Sequence, residues 1–329
     1  MKEKIKFDYD VVGLAKTFSK ADIPLVSTLI NSTPLLDGMN IYPNNKGSEP
    51  IKLLSTIAVL QPSSCTFSPQ GDAVLTNKTL TSVKLTDQFV LCNEDVQKTW
   101  AQVNLAAGAN AENLDENDLV SKILEERIKS IKDAHENLLL LGDTASGNPQ
   151  LVFHDGLFKK MNASATITTV TIPVTAPTTP AVPTSPTQAL GIVNLVAEGI
   201  PAKVFDANMT VEIWVSRKVY NAVRTNIYRD NNFNFVLNEE NINKNGSSFN
   251  LPVSGVKIRA VRQLNGLDTT IYAVVRDLVY VAADLDGDVD GMKIVPDELT
   301  DSLKGMVKFR SGIEFALDSN FVKTVFATV

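Results

Sequence analysis

A chain of 329 residues with 44% hydrophobic and 21% charged side chains is too apolar for a disordered protein and long enough for two or more cores. Its net charge of −6 argues against a dedicated nucleic-acid binder, which carries a basic excess, but not against a protein that encloses DNA without gripping it. No run approaches the ~18 apolar residues of a membrane-spanning helix, and MKEKIKFDYD at the start lacks the apolar stretch of a signal peptide, so the expectation is a soluble cytoplasmic product.

Residues 1–46 mix short apolar clusters, such as Val11-Val12-Gly13-Leu14 and Ile23-Pro24-Leu25-Val26, with Pro24, Pro34 and Pro43. They read as an arm that needs another surface to lie on, because no periodicity is sustained. Residues 51–60 alternate as a strand, a turn-rich loop follows through Pro62, Pro69 and Gly71, and a second strand returns over 79–91. The pair predicts a long β-hairpin within 47–98. Ten residues per strand reach roughly 33 Å. A lone ribbon of that kind is marginally stable in water, so Val83, Leu85, Phe89 and Leu91, an apolar stripe on the second strand, are candidate assembly-interface residues. Cys65 and Cys92 flank the hairpin; a bridge is conceivable, but free thiols in a reducing cytosol are the expectation.

The longest periodic stretch is 117–141. Val120, Ile123, Leu124, Ile128, Ile131, Ala134 and Leu138 recur at the spacing of one helix face, with Lys122, Glu125, Lys129, Lys132 and Glu136 opposite. Asn117 is placed as its N-cap and Gly142 as its stop. An alanine-rich stretch, 101–111, precedes it with helical composition. Residues 162–187 are nearly all Thr, Ala, Val and Pro, with prolines at 173, 177, 180, 183 and 186, which predicts an extended loop. Helix signals resume at 188–196. A compact strand, cap and helix follow over 210–215, Ser216 and 217–228, and further strands are expected at 256–262, 270–275, 278–283 and through 292–325.

No phosphate-binding glycine loop, zinc-protease helix or nucleophile elbow is present, so no catalytic residue, cofactor or enzyme activity is assigned. His135, beside the apolar helix face, and His154, in a loop, read as solvated or core-edge residues. Asp286, Asp288, Asp290 and Gly291, with Asp297 at the twelfth position, follow the spacing of an EF-hand calcium loop. The preceding strand, the shorter Asp at position twelve, Pro296 and Lys293 all depart from it, so an acidic turn between strands is the preferred reading.

The order of elements resembles the major capsid proteins of tailed bacteriophages with the Hong Kong 97 fold. The resemblance rests on a long helix followed by DGLFKK (155–160), then IWVSRKVYNAVR (213–224), LPVSGVKIRAVRQL (251–264), VRDLVYVAADLDGD (275–288) and KFRSGIEFALDSNFVKTVF (308–326). It implies an α+β subunit with an N-terminal arm (1–46) and an extended hairpin loop (47–98). A peripheral domain (99–160 with 291–329) would carry the 117–141 spine helix, and an axial α/β domain (161–290) would carry the Thr/Pro insertion. The implied function is self-assembly as a homo-oligomer of hexamers and pentamers, built in the host cytoplasm into an icosahedral virion capsid around double-stranded DNA. Portal, scaffold or decoration proteins are the implied partners, with no membrane. Alternatives are an encapsulin-like nanocompartment, disfavoured by the long arm, and a soluble calcium-binding α/β protein using the Asp-rich loop.

Overall fold

The computed structural model describes residues 35, 38–43, 45–57, 72–92, 116–174, 186–230, 247–251, 254–282, 293–297 and 302–328. Its strands in chain order are β1 (Asn40–Tyr42), β2 (Ser48–Ile57), β3 (Asp72–Thr81), β4 (Val83–Cys92), β5 (Thr168–Val174), β6 (Val211–Val215), β7 (Ser248–Asn250), β8 (Lys257–Ala260), β9 (Tyr272–Val275), β10 (Val279–Ala282), β11 (Lys293–Asp297), β12 (Ser302–Ser311), β13 (Ile313–Phe315) and β14 (Val322–Thr328). The helices are α1 (Glu116–Leu141), α2 (Leu157–Ala163), α3 (Pro186–Glu198), α4 (Ala202–Asp206) and α5 (Arg217–Asp230).

A six-stranded mixed sheet, β5-β14-β9-β6-β8-β7, holds the main core. Its central strand β6 is buried at every position, as expected for VEIWV with apolar layers on both faces. Ser216 then starts α5: its Oγ accepts from the Val219 N–H at 3.3 Å and donates to Asp268 at 2.6 Å. Val219, Tyr220, Val223 and Ile227 line the buried stripe of α5, which packs beside α3. A side chain of this size, fully buried, contributes about 1.5–3 kcal/mol.

Three smaller sheets surround this core: β1-β10-β13, β11-β12-β4 and the two-stranded β2-β3. The stretch 291–329 is therefore shared, with β11 and β12 in one sheet, β13 in another and β14 in the main one. Helix α1 lays Ile128 and Ile131 on Val307, Phe309 and Leu85 of the β11-β12-β4 sheet. It starts at Glu116, one residue before the expected Asn117, and stops at Gly142, whose N–H donates to Leu138 O at 2.9 Å. Glycine is required there by close approach: a Cβ at Gly142 would lie 2.3 Å from His154 O, and one at Gly156 would lie 2.6 Å from Gly142 N.

Four sequence expectations are corrected. The stretch 79–91 is not one strand of the hairpin. Its alternation runs through two strands separated by Ser82: β3 pairs with β2, while β4 turns away to pair over its whole length with β12, Val83 opposite Ser311 and Cys92 opposite Ser302. The Thr/Pro stretch is not all loop. Residues 168–174 form β5, an edge strand parallel to β14 with Pro173 opposite Ala327, and Pro186 occupies the first turn of α3, both places where a missing N–H is tolerated. Ala134 of the expected α1 face is exposed, whereas Ile128, Ile131 and Leu138 are buried, joined by His135, Leu139 and Leu140. His135 and His154 are both buried rather than solvated. The arm 1–34, the hairpin tip with Cys65, the stretch 101–111, residues 175–185 and Asp286, Asp288 and Asp290 lie outside the described residues.

Candidate assembly surface

The β2-β3 ribbon is anchored at its root. Ile51 and Leu80 are buried with Ala282 against Tyr42, Leu53 and Tyr280. Ser82, at the strand break, donates its N–H to Gly47 O at 2.7 Å, and its hydroxyl lies 2.9 Å from Asn45 O; Asn45 in turn donates to Leu80 O at 3.2 Å. Lys78 reaches from β3 to the Asp318 carboxylate at 2.6 Å and the Glu314 carboxylate at 3.4 Å, with its ammonium 3.7 Å from the Phe315 ring centroid. Burial pushes the Asp318 carboxyl up, but Lys78 and the Ser164 hydroxyl outweigh it and hold the group below the usual range. Beyond this root the ribbon continues to the Ile57–Asp72 pair, and among the described residues no third strand joins it. A two-stranded ribbon of this length is an arrangement that proteins normally blunt or cover.

The stripe assigned to the hairpin lies instead on the inner face of β4. Val83, Leu85 and Phe89 are half-buried, and the side chain of Leu91 is outside the described set. Leu85 joins the α1 cluster. Phe89 lies across its register partner Gly305, close enough that a Cβ there would meet the ring at 2.1 Å, and the Arg127 guanidinium sits 5.1 Å from the ring centroid. Arg127 is itself held by Asp87, with its Nε 2.8 Å from a carboxylate oxygen. Between β4 and α1 runs an open cleft of about 370 Å³ lined by Leu85, Ile131, Ala134, Leu138 and Phe309, with half-exposed Phe153 at its rim. The outer face of the sheet carries the exposed Val90 and Val295 on either side of Lys304, which pairs with Asp297 at 2.5 Å. Asp297, the twelfth position of the calcium-like spacing, thus stands in a strand beside a lysine.

A buried charge centre ties Leu35 and Gly38 to the main sheet. Glu212 on β6 is fully buried and bound by Nε and Nη2 of Arg259 at 2.7 and 2.9 Å, by Arg276 at 3.1 Å and by the Trp214 N–H at 3.2 Å. Burial pushes its carboxyl up, but Arg259, Arg276 and Trp214 overcome that and lower it below the usual carboxylate range. The Arg276 guanidinium also reaches Leu35 O at 3.4 Å and packs under Gly38, whose φ of +82° suits glycine. From there β1 runs parallel to β10, with Asn40 donating to Asp277 O. None of this was foreseen from sequence, since its members lie up to 241 positions apart.

No protein-family profile matches this sequence, and no curated protein matches it. Solved structures do. The chain superposes with a TM-score of 0.54 on a chain of the satellite phage P4 procapsid that includes the size determination (Sid) protein, at 11% identity, covering 93% of this chain and 99% of that one. It superposes at 0.55 on the capsid of Myoviridae phage XM1 (12% identity; 90% and 92% covered) and at 0.57 on the capsid of cyanophage P-SCSP1u (13%; 91% and 89%). The mixed α+β architecture is thus that of phage capsid structures, over about nine-tenths or more of each chain.

Proposed function

We propose that this chain is the shell-forming subunit of a tailed-phage capsid, assembling through copies of itself into hexamers and pentamers around double-stranded DNA. The observation that carries the reading is the β2-β3 ribbon, fixed at its root and joined by no third strand among the described residues, on a fold shared with phage capsids. A neighbouring copy covering the ribbon and the exposed Val90–Val295 face would bury apolar area at roughly 25 cal/mol per Å². On this reading residues 1–46 are the arm, 47–98 the ribbon and its continuation, 99–160 with 291–329 the peripheral part, and 161–290 the axial part. Portal, scaffold or decoration proteins act on the assembled shell, and the chemistry is burial and pairing rather than catalysis.

Replacing residues 58–71 by Asn-Gly closes the ribbon at the Ile57–Asp72 pair with a two-residue turn. The shortened subunit is expected to keep its circular dichroism and unfolding midpoint while losing assembly in sedimentation. Normal shells from it would remove the ribbon from the assembly mechanism.

A further inference from the structure

The two histidines of this chain converge on one hydroxyl. His135 Nε2 on α1 lies 3.1 Å from Ser311 Oγ at the end of β12, and His154 Nε2 lies 2.9 Å from the same oxygen. With both rings neutral, hydrogen-bond chemistry fixes every proton. Asp155 O can only accept, so His154 Nδ1, 3.2 Å away, carries the hydrogen of the neutral ring and its Nε2 is bare. Ser311 has one hydrogen and must give it to that nitrogen. His135 can then only donate its Nε2–H to the serine. The arrangement is complete with both rings neutral.

We propose that His135, Ser311 and His154 form an acid-sensitive joint, at which uptake of a proton releases α1 and the 142–156 loop from the end of β12. A proton on His154 Nε2 turns it from acceptor to donor, so the serine hydrogen loses that acceptor and can turn only to His135, whose Nε2 must first give up its own hydrogen. A proton on His135 places a full charge in a site only 4% exposed, edge-on to the Phe309 ring at 5.3 Å. Among the described residues the carboxylates near the pair are already held by cations, and Asp155, which favours a charged His154, does not outweigh burial there. Asp155 is held by Lys159 at 2.7 Å and by Thr144, Glu314 on β13 by Lys160 at 2.8 Å and by Lys78, and Asp87 on β4 by Arg127. Lys160 on α2 opposes protonation of His154, and Lys84 and Arg127 line the same cleft as His135.

What the joint controls follows from its neighbours. Ser311 pairs with Val83, and Gly312 lies so close to the hairpin root that a Cβ would meet Thr81 O at 2.3 Å; Gly312 O also accepts from Ala282 N at 2.8 Å. Loosening β12 at this point therefore loosens the hinge on which the β2-β3 ribbon is set. This holds for the free subunit, whether or not it builds shells.

Burial, and for His135 also the facing His154, depresses both imidazoles below 6.5, His135 to about 4. A closed state that resists protonation is fully favoured above pH 6.5 and loses ground as pH falls from there towards the native values, because only the opened joint binds the extra proton. Hydrogen–deuterium exchange of the full-length protein, corrected for intrinsic rates, is followed from pH 7.5 to 4.5. Protection in peptides covering 131–141, 79–85 and 308–315 is expected to fall about tenfold per pH unit for each histidine that titrates, while β6 and α5 stay protected. His135→Gln keeps an N–H for Ser311 and removes the proton site, so it should flatten the profile, more so together with His154→Gln. A flat wild-type profile, or an unchanged slope in the double variant, overturns the proposal. If the variants do not fold, the wild-type imidazole resonances decide: midpoints well below 6.5 support the joint, and an ordinary titration near 6.5 at both rings refutes it.

Discussion

Substituting Gly305 by Ala tests whether Phe89 belongs to the subunit's own packing or is held in reserve for a neighbour. In the structure the outer end of the Phe89 ring lies over Gly305 across the β4–β12 ladder, with Cζ and the two Cε atoms 2.1, 2.3 and 2.7 Å from where a Cβ would stand. The ring has little room to retreat, because the Arg127 guanidinium covers it at 5.1 Å and is itself pinned to Asp87. Adding one methyl group here should cost about 1–3 kcal/mol of overpacking, reduced by about 0.4–1 kcal/mol because alanine narrows the unfolded ensemble. A net loss of about 1–2 kcal/mol is expected in urea unfolding of the subunit. Phe89→Ala removes the obstacle, so in the double variant the Gly305→Ala penalty should vanish, leaving a coupling of at least about 1 kcal/mol. Penalties that simply add would mean that the ring does not rest on Gly305 in solution, and the inward assignment of this face of β4 would be refuted.

The remaining predictions concern the buried face of α1, the charge centre and the histidines. Ile128→Asp places an unpaired carboxylate among Ile131, Val307 and Phe309 and should cost several kcal/mol in denaturant unfolding, whereas Lys129→Asp on the exposed side should cost well under 1 kcal/mol. Equal effects would mean that α1 is turned differently. Glu212→Gln leaves Arg259 and Arg276 buried around a neutral amide, and a loss of about 3–5 kcal/mol is expected by the same assay; a change under about 1 kcal/mol would show that the centre is hydrated. His135, neutral in the fold down to about pH 4 and protonated near 6.5 when unfolded, should lower subunit stability by about 3 kcal/mol as pH falls from 6.5 to 4. Acid titration of the unfolding free energy checks this, and His135→Gln should remove that part of the slope.

Local signals were readable where local chemistry decides. Ser216 followed by Val219, Tyr220, Val223 and Ile227 announces a capped amphipathic helix, and the structure forms it. Alternation over 79–91 was equally clear but ambiguous, because the parity passes through Ser82 unbroken. What divides β3 from β4 is the pairing of Ser82 with Asn45 and Gly47, contacts 37 and 35 positions away. Proline at 173 argued against a central strand, and β5 is an edge strand, so the rule was sound and only its extension to the whole stretch failed. On α1, apolar periodicity selected Ala134 over His135 because a histidine carries no apolar signature. Its burial depends on Ser311, 176 positions later, and on a second histidine in a loop. The candidate surface was legible only in outline: a long hairpin was expected and exists, but its partner strand, the cleft beside α1 and the charge centre under Gly38 arise from long-range pairing.

The central claim, that this chain builds a shell from copies of itself, is tested most directly by negative-stain microscopy of the purified full-length protein. The account predicts closed shells, tubes or sheets of rings. A protein that stays a monomer or small oligomer at every concentration and ionic strength tried, with its fold intact, would contradict it.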